Sequence, residues 1–179
     1  MHMVIRVLVY EKDKKSAFSK ATQTLDRLCG EDGQPFDYFT TFDDKTSTVS
    51  GEARWGKLPS VCKADSKEGK KLIEEGMEYT KNNFLESIKI ARKVLKNKTD
   101  IEIFNDDIFD RDMIRYRFYC LGEYRGPSVW LYDNDGEGIR TPKHLKDILD
   151  KWECVYSKNK KPNPYKDLTL YVVPADVHY

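Results

Sequence analysis

The sequence has almost no excess of charge of either sign. Lys and Arg total 31 and Asp and Glu total 30, which gives a formal net charge of +1. A protein that coats nucleic acid without sequence preference needs a strong basic excess, so this balance argues against that class but allows a local basic patch. The chain also lacks an apolar run of roughly 18 residues, the length of a membrane span, and lacks a signal-peptide core after Met1. We therefore expect a cytoplasmic protein without a membrane segment.

Residues that commonly take part in catalysis or metal binding are few and scattered. The four cysteines lie far apart in the chain: Cys29, Cys62, Cys120 and Cys154. They form no Cys-x-x-Cys pair, which argues against the usual zinc-binding patterns. No serine or cysteine stands beside any of the three histidines, so the sequence offers no visible catalytic triad. The glycines form no phosphate-binding loop between a strand and a helix, which disfavours Rossmann and P-loop enzymes.

What the chain does contain is typical of one globular domain. Its 179 residues are 39% hydrophobic and 12% aromatic, enough to bury a core without help from a metal or disulfide. Val4–Tyr10 is nearly all aliphatic and predicts a central strand. Ser16–Cys29 has apolar residues at helical spacing and is followed by Gly30, which predicts a helix and its end. We expect a single domain over residues 1–179.

The longest periodic segment begins at a capping box around Asp65 and predicts a helix over about residues 66–97. Gly76 weakens this helix by about 1 kcal/mol relative to alanine, so a break there is an alternative. A helix of this length would extend beyond the sheet of a domain this small, which favours a homodimer or a packed partner through 66–97. Elsewhere, Thr46–Trp55 reads as a strand of a hairpin, and Leu168–Val173 as a last strand ended by Pro174.

The most informative stretch reads as two strands, Ile114–Leu121 and Ser128–Tyr132. With a period of two, the side chains opposite the aliphatic face would form one patch. Its members are Arg115, Arg117, Tyr119, Trp130 and Tyr132. RNA-binding sheets stack bases on strand aromatics and use arginine for phosphates, which matches these residue types. The alternatives are a protein partner on this patch, or a helix that covers it and pairs the arginines with carboxylates.

Two acidic stretches are candidates for a divalent cation. Asp133, Asp135 and Glu137 stand at alternate positions with Gly136 among them, a spacing used by calcium loops. The twelfth position of such a loop would be His144 rather than glutamate, and a plain β-turn explains the same residues. The second cluster is Asp106, Asp107, Asp110 and Asp112. Four aspartates in one connection need not converge on a metal, so a solvated acidic loop is the simpler interpretation.

The C-terminal third carries a family likeness. The run from Cys120 to Asp133, with Gly-Pro-Ser-Val-Trp-Leu-Tyr at its centre, and the end Val173–Tyr179 resemble conserved hypothetical proteins of archaea. That group has no assigned activity, so the resemblance brings no functional residues. It implies an archaeal, cytoplasmic protein.

The element order β-α-β-β-α-β-β-α-β indicates an α+β domain with a mixed, largely antiparallel sheet and helices mainly on one face. An elaborated ferredoxin-like core is the most specific version of this expectation. For function, the sequence favours a binding module for single-stranded nucleic acid, a nucleotide or a protein, using the Arg/Tyr/Trp patch. The alternative is a metal-assisted hydrolase of phosphoesters through Asp133, Asp135 and Glu137. No cofactor is expected apart from such a divalent cation.

Overall fold

The structure is a computed structural model that describes residues 1–30, 34–105, 114–122, 126–153 and 164–179. The strands in this part of the chain are β1 (His2–Glu11), β2 (Tyr38–Thr41), β3 (Cys62–Lys63), β4 (Leu131–Tyr132) and β5 (Thr169–His178). The helices are α1 (Lys14–Leu28), α2 (Glu52–Trp55), α3 (Lys67–Asn97), α4 (Asp100–Asn105), α5 (Ile114–Gly122) and α6 (Pro142–Glu153). The aspartates at 106–112 lie outside the described residues.

The five strands form one mixed sheet in the order β2-β5-β1-β4, and β3 also pairs with β5. β1 and β5 are antiparallel over ten residue pairs, from His2 opposite His178 to Glu11 opposite Thr169. β1 and β4 are parallel, whereas β2 and β3 are antiparallel to β5. The predicted α+β class with a mixed, largely antiparallel sheet is therefore confirmed.

Successive side chains of β1 point to opposite faces of the sheet and pack into two core layers, one on each face. Ile5, Val7 and Val9 pack with α1 residues such as Leu25 on one face of the sheet. On the other face, Leu8 packs with residues of α3 and α6. The longest helix and α6 thus share one face, where α5 packs against α3, and α1 covers the opposite face. A strand buried on both faces is largely aliphatic, which explains the composition of Val4–Tyr10 apart from Arg6.

Helix α3 runs without a break through Gly76, so the interruption considered there does not occur. A Cβ atom at residue 76 would lie 2.8 Å from Leu131 Cγ and 3.2 Å from Arg6 Cδ. The absence of a side chain lets α3 lie close against β1 and β4. Gly76 is therefore a packing residue, and the close approach offsets its low helix propensity.

Three predicted elements are wrong. Ile114–Leu121 is the helix α5 rather than a strand, and it packs mainly against α3. Aromatic and alternating residues favour strands only weakly, and tertiary packing overrides that preference. Thr46–Trp55 forms a loop followed by the short helix α2, not a hairpin strand.

The third error concerns Pro174, which does not end the last strand, since β5 continues to His178. On the outer edge of β5, β3 pairs with Tyr171–Val172 and β2 pairs with Ala175–His178. Val173 and Pro174 fall in the gap between those two partners. A proline, which has no N–H, is tolerated in a strand where no ladder bond is required of it.

Candidate functional site

The structure does not bring the five residues of the predicted Arg/Tyr/Trp patch together on one surface. Arg115, Arg117 and Tyr119 lie on the helix α5, Trp130 precedes β4, and Tyr132 belongs to β4. Tyr132 is fully buried, and its hydroxyl accepts a hydrogen bond from the Gly126 N–H at 2.9 Å. The prediction that these five residues share one face of a sheet is therefore wrong. A binding role for the α5 residues stays a prediction.

On a helix, residues two apart point in directions about 200° apart, so Arg117 diverges from Arg115. Arg115 Nη2 donates to the Phe104 carbonyl at 2.6 Å, and its guanidinium lies 5.7 Å from the centroid of the Phe104 ring. Arg117 lies over the Tyr116 ring instead, at 5.6 Å. The Arg115 contacts join α4 to α5, the Arg117 contact lies within α5, and both arginines act partly as packing groups.

The predicted metal loop is organised around its own backbone. Asp133 Oδ1 accepts hydrogen bonds from the N–H groups of Asp135 and Glu137, each at 2.9 Å. This is the turn chemistry expected of aspartate in a β-turn. Across the described ranges, no three His, Cys, Asp or Glu side chains are grouped so as to hold a metal ion. Asp133, Asp135 and Glu137 thus do not form such a group, and the hydrolase alternative stays a prediction.

Two of the cysteines that the structure describes, Cys29 and Cys62, are poor nucleophiles. Burial raises the pKa of the Cys29 thiol to about 12 and that of the Cys62 thiol to about 11. Cys120 is buried in α5. A thiol attacks as its thiolate, so these pKa values argue against cysteine catalysis at Cys29 and Cys62.

One cleft gathers aromatic rings around a buried arginine. It has a volume of about 380 Å³ and is formed by β1, α2, α3 and the residue before β4. Its principal lining residues are Arg6, Trp55, Leu58, Glu75, Tyr79 and Trp130. We call this the Arg6 cleft. Trp130 is the one member of the predicted patch that lines it.

Arg6 is an unusual residue for a central strand, because only 3% of it is exposed. Its Nη1 donates to the Val4 carbonyl at 2.5 Å and its Nη2 to Glu75 Oε2 at 3.3 Å. Its Nε has no hydrogen-bond partner among the described residues. Burial lowers the pKa of Arg6, and the Glu75 carboxylate opposes that shift. The strand therefore carries a desolvated positive charge that its partners compensate incompletely.

Helix α3 and β1 fix the position of Trp130. Thr80 Oγ1 donates to the Gly76 carbonyl at 2.9 Å and accepts the Trp130 N–H at 3.0 Å. The Trp130 carbonyl accepts from the Arg6 N–H at 2.9 Å. The Trp130 and Tyr79 rings then lie 6.0 Å apart between centroids, and the Arg6 guanidinium lies 5.6 Å from the centroid of the Tyr79 ring. The aromatic wall of the cleft is thus held by backbone hydrogen bonds.

A buried aspartate ties α2 to the sheet on the other side of the cleft. Asp176 is fully buried on β5, and its Oδ2 accepts the N–H of Gly51, the residue that precedes α2, at 2.8 Å. Its Oδ1 lies 3.1 Å from His2 Nδ1. These bonds set where α2 begins and so where Trp55 stands.

A family model described as a domain of unknown function (DUF7995) matches residues 1–179. The chain belongs to this family. No curated protein and no solved structure matches it. The Arg6 cleft is therefore interpreted from the chemistry of this DUF7995 domain alone.

Within the described part of this DUF7995 domain, no helix combines the length and the apolar composition that a membrane crossing requires.

Sequence reasoning missed Arg6, Glu75 and Tyr79. Arg6 had a visible signal, because it is the one charged residue within the aliphatic run Val4–Tyr10. A charge in a strand buried on both faces must be paired or functional. Glu75 and Tyr79 lie four residues apart on α3, a spacing that places both on one face.

Proposed function

We propose that this chain is a binding module and that its Arg6 cleft takes the planar base of a nucleotide or of single-stranded RNA. The observation that carries the proposal is the grouping of accessible aromatic rings in one cleft around the ion pair between the buried Arg6 and the partly exposed Glu75. Trp55 is 44% exposed and Tyr79 is 50% exposed. Exposed aromatic side chains that share one cleft, unlike single ones scattered over a surface, mark ligand-binding grooves.

Stacking supplies the main attraction. A base that stacks on an aromatic side chain contributes about 1–3 kcal/mol, and any base can use such a platform because every base has a π-face. The Tyr79 and Trp130 rings are inclined by 39° to each other. They therefore form a corner against which a flat ligand can lie, with Trp55 on the α2 side of the cleft.

The polar groups of the cleft can form hydrogen bonds with the edge of a base. Glu75 keeps 37% of its side chain exposed while it pairs with Arg6. A carboxylate accepts hydrogen bonds from exocyclic amino groups such as the one on cytosine. Lys71 Nζ lies 3.7 Å from Glu75 Oε1 and places a second positive charge beside the cleft. Arg6 and Lys71 together make an anionic nucleotide more favourable there than a cation.

Replacing Tyr79 by alanine is expected to weaken binding of nucleoside monophosphates and short single-stranded RNA about tenfold, because a stacking surface is lost. Quenching of tryptophan fluorescence during titration measures the dissociation constant. Phe84→Ala is the matched control, since Phe84 is a 41% exposed aromatic residue on the same helix that does not line the cleft. Equal weakening by both variants, or no binding by the wild type, would refute the proposed cleft.

Replacing Arg6 by methionine is expected to leave the melting temperature unchanged or to raise it. The change removes a desolvated charge whose Nε has no partner among the described residues, and Glu75, with 37% of its side chain exposed, can be solvated by water once the pair is broken. Binding of the same nucleotides should nonetheless weaken several-fold, because Glu75 and the Tyr79 ring lose the guanidinium that holds them. Thermal denaturation and the fluorescence titration measure the two effects. A sharp fall in melting temperature would show that Arg6 serves the fold rather than the ligand.

A further inference from the structure

β4 ends at Tyr132, beside Val7, while β1 continues to Glu11, and after these two strands the chain leaves the sheet in opposite directions. The two strands are parallel neighbours, with Arg6 opposite Leu131 and Val7 opposite Tyr132. The helix after β1 is α1, which packs on one face, and the helix after β4 is α6, which packs on the other. In open sheets a crevice forms where the helices after adjacent parallel strands diverge in this way, and ligands bind there.

A cavity of about 250 Å³ lies at this point, close to the small end of the range of ligand sites. Most of its charged and aromatic lining comes from the end of β1, from α1, from the loop after β4 and from α6. These residues are Tyr10, Glu11, Lys20, Asp133, Asp135 and Lys151, and Tyr165 adds a second aromatic ring from the segment before β5. We call this the β1–β4 crevice. It is separate from the Arg6 cleft and shares no lining residue with it.

The loop that forms one wall is fixed before any ligand arrives. Asp133 Oδ1 holds two backbone N–H groups of its own loop, as described above. The Asn134 carbonyl accepts hydrogen bonds from Thr24 Oγ1 at 2.9 Å and from Arg27 Nη2 at 3.2 Å, which fastens the loop to α1. Gly136 has a φ of +82°, a backbone conformation that favours glycine, and a Cβ atom there would lie 3.6 Å from Leu28 Cδ2. A preorganised wall reduces the ordering cost of binding.

The opposite wall is aromatic and is joined to α6. The Tyr10 hydroxyl donates a hydrogen bond to the Ile148 carbonyl, and the Tyr10 and Tyr165 rings lie 4.4 Å apart between centroids. Burial raises the pKa of Tyr10 above its usual range, so the hydroxyl remains a donor at neutral pH. Leu8 and Ile148 add an apolar floor.

The crevice presents both signs of charge. Lys20 on α1 and Lys151 on α6 contribute ammonium groups, whereas Glu11, Asp133 and Asp135 contribute carboxylates. Lys20 forms no ion pair with any residue that the structure describes. A ligand with only one charge would be repelled by the side chains of the same sign. A molecule with an anionic and a cationic group can satisfy both sets of side chains.

We propose that the β1–β4 crevice is a binding site for a small zwitterion of the size of a free amino acid. The ligand carboxylate pairs with Lys20, and its ammonium group pairs with Asp135. The Tyr10 ring and the apolar floor accommodate a side chain.

The test is a thermal-shift titration of the full chain with each of the twenty common amino acids, followed by calorimetry on those that stabilise it. At least one amino acid should raise the melting temperature in a saturable manner. Its methyl ester and its des-amino acid, which each lack one charge, should bind at least about tenfold more weakly. Lys20→Met and Asp135→Asn should each weaken binding by a similar factor while the Asp133 hydrogen bonds stay in place.

Lys15→Met is the matched control, because Lys15 lies on α1 but outside the crevice. It should bind like the wild type. The proposal is overturned if no amino acid binds, if inorganic phosphate stabilises as well as any amino acid, or if Lys20→Met binds unchanged. None of these outcomes bears on nucleotide binding, which is tested separately through Tyr79 in the other cleft.

Discussion

Truncating Leu131 to alanine is expected to lower the free energy of unfolding by about 3 kcal/mol, the usual cost of such a cavity in a core. Leu131 is fully buried, and its Cγ would lie 2.8 Å from a Cβ atom at position 76. Gly76→Ala alone should cost about 1 kcal/mol, because overpacking against Leu131 exceeds the gain in helix propensity. In the double variant the new methyl group occupies part of the space that Leu131 leaves.

The double variant should therefore be more stable than the sum of the two single changes by about 1 kcal/mol, as for other residues in direct contact. Urea denaturation of the four proteins measures this coupling. Leu25→Ala combined with Gly76→Ala is the control, because Leu25 packs on the opposite face of the sheet and the two effects should add. Additive effects in the Leu131 pair would contradict the close packing of α3 on β4.

Gly69→Ala is expected to lower the free energy of unfolding by about 2 kcal/mol, even though alanine favours a helix by about 1 kcal/mol. A Cβ atom at position 69 would lie 2.0 Å from the Lys63 carbonyl oxygen and 2.9 Å from Ala64 Cα. Those neighbours are backbone atoms, which cannot rotate away as a side chain does. The first turn of α3 would have to move away from β3.

Urea denaturation again provides the measurement for Gly69→Ala. The neighbouring Lys70→Ala is the control, since Lys70 is exposed in the same helical turn and its loss should leave stability nearly unchanged. A Gly69→Ala protein as stable as the wild type would show that α3 does not begin against the β3 backbone.

The sequence predicted those elements in which local pattern and burial agree. In β1, α1 and α3 the spacing of apolar residues along the sequence matches the face or faces that each element buries. In contrast, the residues 114–121 alternate like a strand, yet only Ile114 and Cys120 are buried in α5. Contact with α3, which lies far away in the sequence, decides their conformation. A local pattern cannot contain that information.

The candidate sites were less predictable than the fold. The Arg6 cleft joins side chains from β1, α2, α3 and the residue before β4, and no spacing links Trp55 to Trp130. The predicted strand pairing places Trp130 in one patch with Arg115 and Arg117, but those two residues lie on the helix α5. The spacing of Asp133, Asp135 and Glu137 draws attention to the acidic loop. The position of that loop after a strand parallel to β1 depends on the topology, which the spacing does not contain.

The pairing of β1 with β5 has a consequence for how fast the protein folds. β5 supplies partners to β1, β2 and β3, and the helices α1 to α6 all lie between β1 and β5 in the sequence. The central strand pair therefore closes a long loop before its contacts are gained, and pairing of this kind is slow. We expect the meeting of these two strands to limit the rate of refolding from urea.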